Sequence, residues 1–394
     1  MSDIVEFTNL SIITEEGEWK TGSLQIHNGK ITKLSHQLIG GADQVIDGKG
    51  KQYTLLPGFI DVHIHGANGF DVMDATFDGL QGIARQLPKE GTTSFLATTM
   101  TQSSDAISKA VTNVGQYMES KLADGEAEVL GIHLEGPFIS KNKVGAQPIK
   151  HVMEPSVEKF SHWQEQSQGH IRLITLAPEE SGAMELIKYV SSQGVTASIG
   201  HSDADLSVVN EAVEHGAKHV THLFNQMRGL HHREPGVVGA ALLNEKLMVE
   251  MIVDRIHVHK DAIKLAYQHT KTDRTILITD AMRAKCLADG VYDLGGQDVE
   301  VKNGEARLED GTLAGSILTL AEAARNMKED QELNYEELAA ITSANAAKQL
   351  GVFHRKGSIK EGKDADLVML NEHGEVMVTV CKGTIAFDSR EVSS

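Results

Sequence analysis

At 394 residues and 40% hydrophobic content, the chain can bury a large core, with room for one big domain plus a smaller one. A formal net charge of −18 argues against nucleic acid or an anionic membrane as partner, since both need a basic face that displaces counterions. No apolar run reaches membrane-span length and residues 1–6 lack the basic region and apolar core of a signal peptide, so a cytoplasmic location is expected.

Residues 3 to about 56 read as short strands, at 4–8, 23–27, 30–34 and 44–46. Asn28-Gly29 marks a hairpin between two of them, because both residues tolerate positive φ. From Phe59 the pattern changes to apolar strands alternating with amphipathic helices, the mark of a parallel sheet with crossover helices. Eight such strands are expected, at 59–64, 92–97, 128–134, 171–176, 195–199, 219–223, 247–253 and 275–278. The helix after the second places Ile107, Ala110, Val111, Val114, Tyr117 and Met118 on one face. Eight β/α units predict an α/β fold with a closed (β/α)8 TIM-like barrel over residues 58–351. An open doubly wound sheet is the alternative, but it would carry a Gly-rich phosphate turn after an early strand, and none is present.

After the eighth strand, residues 291–308 alternate around Lys302-Asn303-Gly304-Glu305 and predict a β-hairpin insertion. A long helix follows at 335–350, with Asn334 as N-cap and Gly351 as its stop. Short strands return at 366–370, 376–381 and 384–387. The two chain ends, 1–57 and 352–394, are expected to pair into one small β-sandwich domain beside the barrel. Cys286 and Cys381 lie far apart and form no C-x-x-C motif, so neither a disulfide framework nor a thiolate zinc site is indicated.

Unusual polar residues fall at the ends of the barrel strands, where (β/α)8 enzymes keep their chemistry. The apolar run from Leu55 ends in His63-Ile64-His65, whose imidazoles share a face because residues two apart in a strand point the same way. Glu135 closes the third strand, His201 the fifth, His222 the sixth and Asp280 the eighth. Singly, each has a bland reading as a helix cap or an ion-pair partner. Their repetition at one rim favours a shared site. Imidazoles and carboxylates without thiolates suit zinc or iron, and five protein ligands are too many for one catalytic tetrahedral ion. A two-ion site is expected, with Glu135 bridging, His63 and His65 on one ion and His201 and His222 on the other. Such ions lower the pKa of a bound water for attack on a carbonyl, with Asp280 taking its proton and completing the metal-side set.

The chain resembles the amidohydrolase superfamily over essentially its whole length. The resemblance rests on Pro57-Gly58-Phe59-Ile60-Asp61-Val62-His63-Ile64-His65-Gly66, His133-Leu134-Glu135-Gly136-Pro137-Phe138, Gly200-His201-Ser202, Thr221-His222-Leu223-Phe224-Asn225-Gln226-Met227, Arg233-Glu234-Pro235-Gly236, Thr279-Asp280-Ala281-Met282 and Leu313-Ala314-Gly315-Ser316. The His133-to-Phe138 and His222-to-Met227 segments point further, to the deacetylases of 6-phosphorylated N-acetylamino sugars. Many superfamily members bridge their metals with a carboxylated lysine from the fourth strand; here 171–178 holds no lysine, and the resemblance gives that role to Glu135. Some relatives lack the H-x-H and work with one ion, whereas this chain keeps both histidines. Many relatives carry histidine where Gln147 stands.

The resemblance implies hydrolysis of N-acetyl-D-glucosamine 6-phosphate to D-glucosamine 6-phosphate and acetate, in a homodimer. It implies that Arg233 binds the 6-phosphate, from its own subunit or from across the dimer interface, and that His257 contacts the substrate amide near the metal. It also implies a pocket lined by Ala146, Gln147, Asn225, Gln226, Asp254, Arg255, Ile256, His257, Leu313, Ala314 and Gly315. Independently of the resemblance, Arg228, His231, His232 and Arg233 form a basic cluster in an acidic chain, suited to a phosphate. The rivals are an amidohydrolase without a phosphate anchor, such as a dihydropyrimidinase, and a barrel that has lost catalysis.

Overall fold

A computed structural model of the chain describes residues 4–120 and 123–390. The outermost residues of the expected small domain, 1–3 and 391–394, lie outside the described residues. No helix among the described residues is long and apolar enough to cross a membrane.

Eight parallel strands form the central sheet: β1 (Phe59–Ile64), β2 (Thr92–Thr99), β3 (Glu128–Glu135), β4 (Ile171–Leu176), β5 (Thr196–Ile199), β6 (Ala217–Val220), β7 (Met248–Ile252) and β8 (Thr275–Ile278). They pair in sequence order, each strand beside the next. β1, β2 and β8 are buried at every position, as near-continuous apolar runs must be when helices cover one face and a packed barrel interior the other. Helices follow every strand, and their starts are chemical: Thr76, Ser103, Ser156, Asp205 and Thr319 each accept a backbone N–H from the first turn. On the helix Ser104–Glu119, Ile107, Ala110, Val111, Val114 and Tyr117 are buried, and Met118 packs at the edge of the same core.

The barrel closes between its first and last strands just beyond their ends. Asp280 N–H donates to His63 O at 2.8 Å, and the N–H groups of His65 and Gly66 both donate to Ala281 O. This seam brings the two candidate site segments into register.

Strands from both chain ends share a second, eight-stranded sheet with its own core of Phe7, Ile12, Leu24, Leu55, Leu367 and Val380 among others. Val5–Thr14 is its hub: it pairs with Gly17–His27 on one side and, in parallel, with Gln44–Asp47 and then Thr54–Pro57 on the other. The apolar run ending in the H-x-H is therefore two strands. Thr54–Pro57 pairs with Leu367–Leu370 of the small sheet, and the chain passes to the barrel at Gly58. A Cβ there would sit 2.3 Å from Thr93 Oγ1, so only glycine lets the crossing run this close.

Two further elements differ in detail from expectation. The insertion after β8 is a three-stranded antiparallel sheet, Gly290–Leu294, Gln297–Lys302 and Glu305–Arg307, because Gly295-Gly296 adds a second tight turn. The helix starting at Tyr335 is capped by Asn334 in a reciprocal capping box with Glu337, but it contains a π-turn at Ala340–Ala344 before resuming at Asn345–Gln349.

Candidate metal centre

His63 lies one residue from the end of β1 and His65 directly after it, so the strand alternation aims both rings over the barrel axis. Their Nε2 atoms stand 3.4 and 3.3 Å from Asp280 Oδ1. Glu135, the last residue of β3, faces all four imidazoles: Oε1 is 3.2 Å from His201 Nε2, 3.2 Å from His222 Nε2 and 3.4 Å from His63 Nε2, while Oε2 is 3.3 Å from His65 Nε2. Among the described residues three groups have metal-ligand spacing: His63–His65–Asp280 and Glu135–His201–His222 meet at this point, and His63–His133–Glu250 lies behind His63. Ligand-bearing segments are bent to reach this point. His201, His222 and Asp280 all take left-handed backbone conformations, with φ of 48°, 31° and 49°, just past their strands. For non-glycine residues this costs on the order of 1–3 kcal/mol each, a strain that collects where side-chain placement matters more than stability.

Proton positions test whether a cation fits. His201 Nδ1 donates to Lys143 O at 2.7 Å, which leaves its Nε2 with a lone pair. His63 Nδ1 faces the carboxylate of Glu250 at 3.0 Å, so its Nε2 is also a lone-pair donor, and that buried atom has no hydrogen-bond partner. His201 and His222 meet Nε2 to Nε2 at 3.2 Å. Electron-pair donors and carboxylates packed this closely repel unless a positive charge lies between them, and the donor set is that of zinc or iron. Electrostatics point the same way. Burial opposes charge on His65, yet Asp280 and Glu135 outweigh it and push the imidazole up to about 10. Burial likewise opposes the Glu135 charge, and the surrounding histidines hold its carboxyl well below the usual range.

His65, Glu135, His201, His222 and Asp280 form the floor of a cavity of about 360 Å³, and His63 is buried behind them. Of the residues expected around a substrate, Ala146, Gln147, Asn225, Gln226, His257, Leu313 and Gly315 line it. Gln147 is oriented at both ends, donating to Glu135 Oε2 at 2.6 Å and accepting from Thr101 N–H at 2.7 Å, so its amide holds the carboxylate. Asp254, Arg255 and Ile256 do not line the cavity. Asp254 stands behind His257, accepting from its backbone N–H and from its Nδ1 at 2.6 Å. Ile256 donates its N–H to the same carboxylate. Arg255, with a left-handed φ of 63°, turns away to Glu329 and Asp330. Ala314 is buried in the small core beneath the insertion. Arg233 is exposed and lies against His232 Nε2 at 2.7 Å, outside this cavity, while the neighbouring Arg228 is engaged by Asp203. Cys286 is exposed and Cys381 buried, both as free thiols away from the cluster.

Sequence reasoning missed the supports behind the cluster. Glu250, His133 and His219 are fully buried around His63, and Asp61 accepts from His63 N–H and Thr279 Oγ1. Glu250 carried a signal, a lone charge inside the otherwise apolar strand Met248–Ile252. Met100, Leu294, Arg307 and Thr312 also line the cavity, brought there by the insertion and by the loop after β2, which no spacing rule marks.

Comparison with known proteins agrees with this geometry. The model of the amidohydrolase family matches residues 54–386. The chain is 47% identical to the N-acetylglucosamine-6-phosphate deacetylase of Bacillus subtilis (strain 168), with 99% of each chain covered. Its structure is similar to that of a mutant N-acetyl-D-glucosamine-6-phosphate deacetylase from Mycobacterium smegmatis in complex with N-acetyl-D-glucosamine-6-phosphate, at a TM-score of 0.91 and 29% identity over 98% of this chain and 100% of that one. It is likewise similar to the N-acetylglucosamine-6-phosphate deacetylase of Thermotoga maritima, at a TM-score of 0.87 and 35% identity over 98% and 100%. With the family match spanning most of its length and the metal-suited cluster at its centre, the chain belongs to the amidohydrolase family.

Proposed function

We propose that this enzyme hydrolyses N-acetyl-D-glucosamine 6-phosphate to D-glucosamine 6-phosphate and acetate, and does so as a homodimer. The observation that carries the reading is the convergence of His63, His65, Glu135, His201, His222 and Asp280 at one cavity, all but the buried His63 lining it, with their lone pairs facing one another. The identity to deacetylases of this substrate supports it.

His63, His65 and Asp280 would hold one divalent ion and His201 and His222 another, with Glu135 shared by the two groups. A divalent metal such as zinc or iron, when bound there, would supply Lewis acidity to lower the pKa of a water and polarise the acetyl carbonyl. Asp280 takes the proton of the attacking water on its carboxylate and returns it to the amine nitrogen as the C–N bond breaks. His257 Nδ1 donates to Asp254, so its Nε2 offers a proton to the developing oxyanion in the imidazolium form. Burial disfavours its charged form, but the Asp254 carboxylate outweighs burial and raises its pKa. Asn225, Gln226 and the Leu313–Gly315 backbone orient the sugar. Arg233, exposed and outside its own chain's cavity, anchors the 6-phosphate in the partner's site, where a bidentate guanidinium suits a dianion.

The direct test is acetate release by chelator-stripped protein reloaded with zinc or with ferrous iron. N-acetylglucosamine 6-phosphate should be cleaved, its unphosphorylated form poorly, and the galacto epimer serves as the specificity control. No acetate from the phosphorylated sugar with either metal would end this reading.

A further inference from the structure

The strand Met248–Ile252 buries three apolar residues, Val249, Met251 and Ile252, around one carboxylate, Glu250, whose side chain is fully enclosed. A buried carboxylate needs donors on both oxygens. Glu250 Oε2 accepts from His63 Nδ1 at 3.0 Å and from the backbone N–H of His222 at 3.1 Å, and Oε1 accepts from His219 Nε2 at 3.1 Å. The backbone of the same residue adds a fourth bond, since Leu223 N–H donates to Glu250 O at 2.9 Å. One residue therefore grips a ligand of each proposed ion.

The grip differs between the two. At His63 it acts on the ligating ring: an ionised carboxylate has no proton to give, so the imidazole must carry its proton on Nδ1 and present the Nε2 lone pair toward Asp280 and Glu135. At His222 it acts only on the main chain, and the ring Nδ1 has no partner. His201 is fixed independently, through Lys143 O. Without Glu250, His63 would be free to take the other tautomer, with a proton where the ion must sit, while the side chains of His201, His222 and Glu135 would lose no contact of their own and His222 only a main-chain bond.

From this asymmetry we infer that Glu250 is the positioning residue that fills the His63–His65–Asp280 position, and so decides whether the chain carries two ions or one. The inference rests on the two-ion reading above. A carboxylate behind a ligating histidine commonly changes metal affinity on the order of 10–100-fold, through tautomer, ring orientation and basicity.

Two substitutions separate this role from mere packing. In Glu250→Gln the amide oxygen still accepts from His63 Nδ1, and the amide N–H meets His219 Nε2. His219 accommodates it by moving its proton to Nδ1, an atom with no present partner. This variant loses the charge and keeps the tautomer. Glu250→Ala loses both. Stripped protein is titrated with zinc against a chromophoric chelator, with bound metal counted by mass spectrometry and folding checked by thermal melts.

The parent should bind two ions. Glu250→Ala should bind one, at the parent affinity of the retained position to within about threefold, and Glu250→Gln should bind two with one weakened on the order of 10–100-fold. Two ions at parent affinity in Glu250→Ala, or equal weakening of both in Glu250→Gln, would overturn the assignment. Where Glu250→Ala fails to fold, Glu250→Gln decides alone, and parent affinity at both positions would overturn it. A parent that binds fewer than two ions would remove the two-ion reading, and this inference with it, before Glu250 came into question.

Discussion

The backbone N–H of Asp280 donates to the carbonyl of His63 at 2.8 Å, and the Asp280 side chain meets His63 Nε2 at 3.4 Å. The seam that closes the barrel is thus also the contact that sets the proposed acid-base carboxylate beside a proposed metal ligand. Because the main-chain bond is independent of the side chain, Asp280→Asn should leave the seam intact.

That variant keeps size and shape but cannot accept a proton. We expect kcat to fall on the order of 10²–10⁴, the usual range for a general acid-base group, with KM largely kept. Turnover must be expressed per metal-loaded site, since Asp280 also faces the His63–His65 position. Near-normal kcat in folded, loaded protein would remove Asp280 from proton transfer.

His63→Gln combined with His65→Asn removes two ligands of one group and none of the other. Bound metal should drop from about two ions to one per chain, because Glu135, His201 and His222 form a complete set of their own. Loss of both ions would refute the division.

The barrel was legible because its strands are buried on both faces and separated by capped amphipathic helices, a pattern that periodicity reads well. The members of the candidate metal cluster were legible because each stands at a strand end, where a charge or imidazole interrupts an apolar run. What escaped was set by long-range packing. The break at Gly58 depends on Thr93, a residue of the next strand, and nothing local separates Thr54–Pro57 from Phe59–Ile64. Arg307 and Leu294 reach the cavity only because the insertion folds back over it, and the outward turn of Arg255 is dictated by Glu329 and Asp330, some 75 residues on.

Arg233 lies on an exposed loop beside Leu230, itself 58% exposed. If it serves the partner's site, Arg233→Ala should raise KM for the phosphorylated sugar on the order of 10–100-fold, the worth of one charge-assisted bidentate contact, with kcat little changed. Mixed dimers test the subunit assignment. A chain carrying Arg233→Ala paired with one carrying Asp280→Asn has one intact site when Arg233 acts across the interface and none when it acts within its own chain. Activity that does not recover on mixing would place Arg233 in its own chain's site or outside the mechanism.

The last prediction concerns acid stability and a cluster away from the metal ligands. Glu128, the first residue of β3, is clamped by Arg355 through both oxygens at 2.9 and 3.1 Å, by Lys356 at 2.8 Å and by Lys382 at 2.9 Å. Lys356 is itself buried and also pairs with Asp366, so the cluster ties the barrel to the returning chain end. Burial works to raise the Glu128 pKa, but Lys356, Arg355 and Lys382 outweigh it and hold the carboxyl at about 2, against an ordinary 4.5. The folded value is depressed, so the stabilisation is fully present above the unfolded pKa and is lost as pH falls from about 4.5 through about 2. Two and a half units correspond to at most about 3 kcal/mol. Glu128→Gln should therefore be less stable than the parent by a constant margin from pH 7 to about 5, with the margin shrinking below pH 4.5 as the parent protonates. Denaturant unfolding of both proteins across this range measures it, and the subtraction cancels every other titrating group the two share. A margin that stays flat down to pH 3 would mean that the charge on Glu128 contributes nothing to holding the barrel against the small sheet.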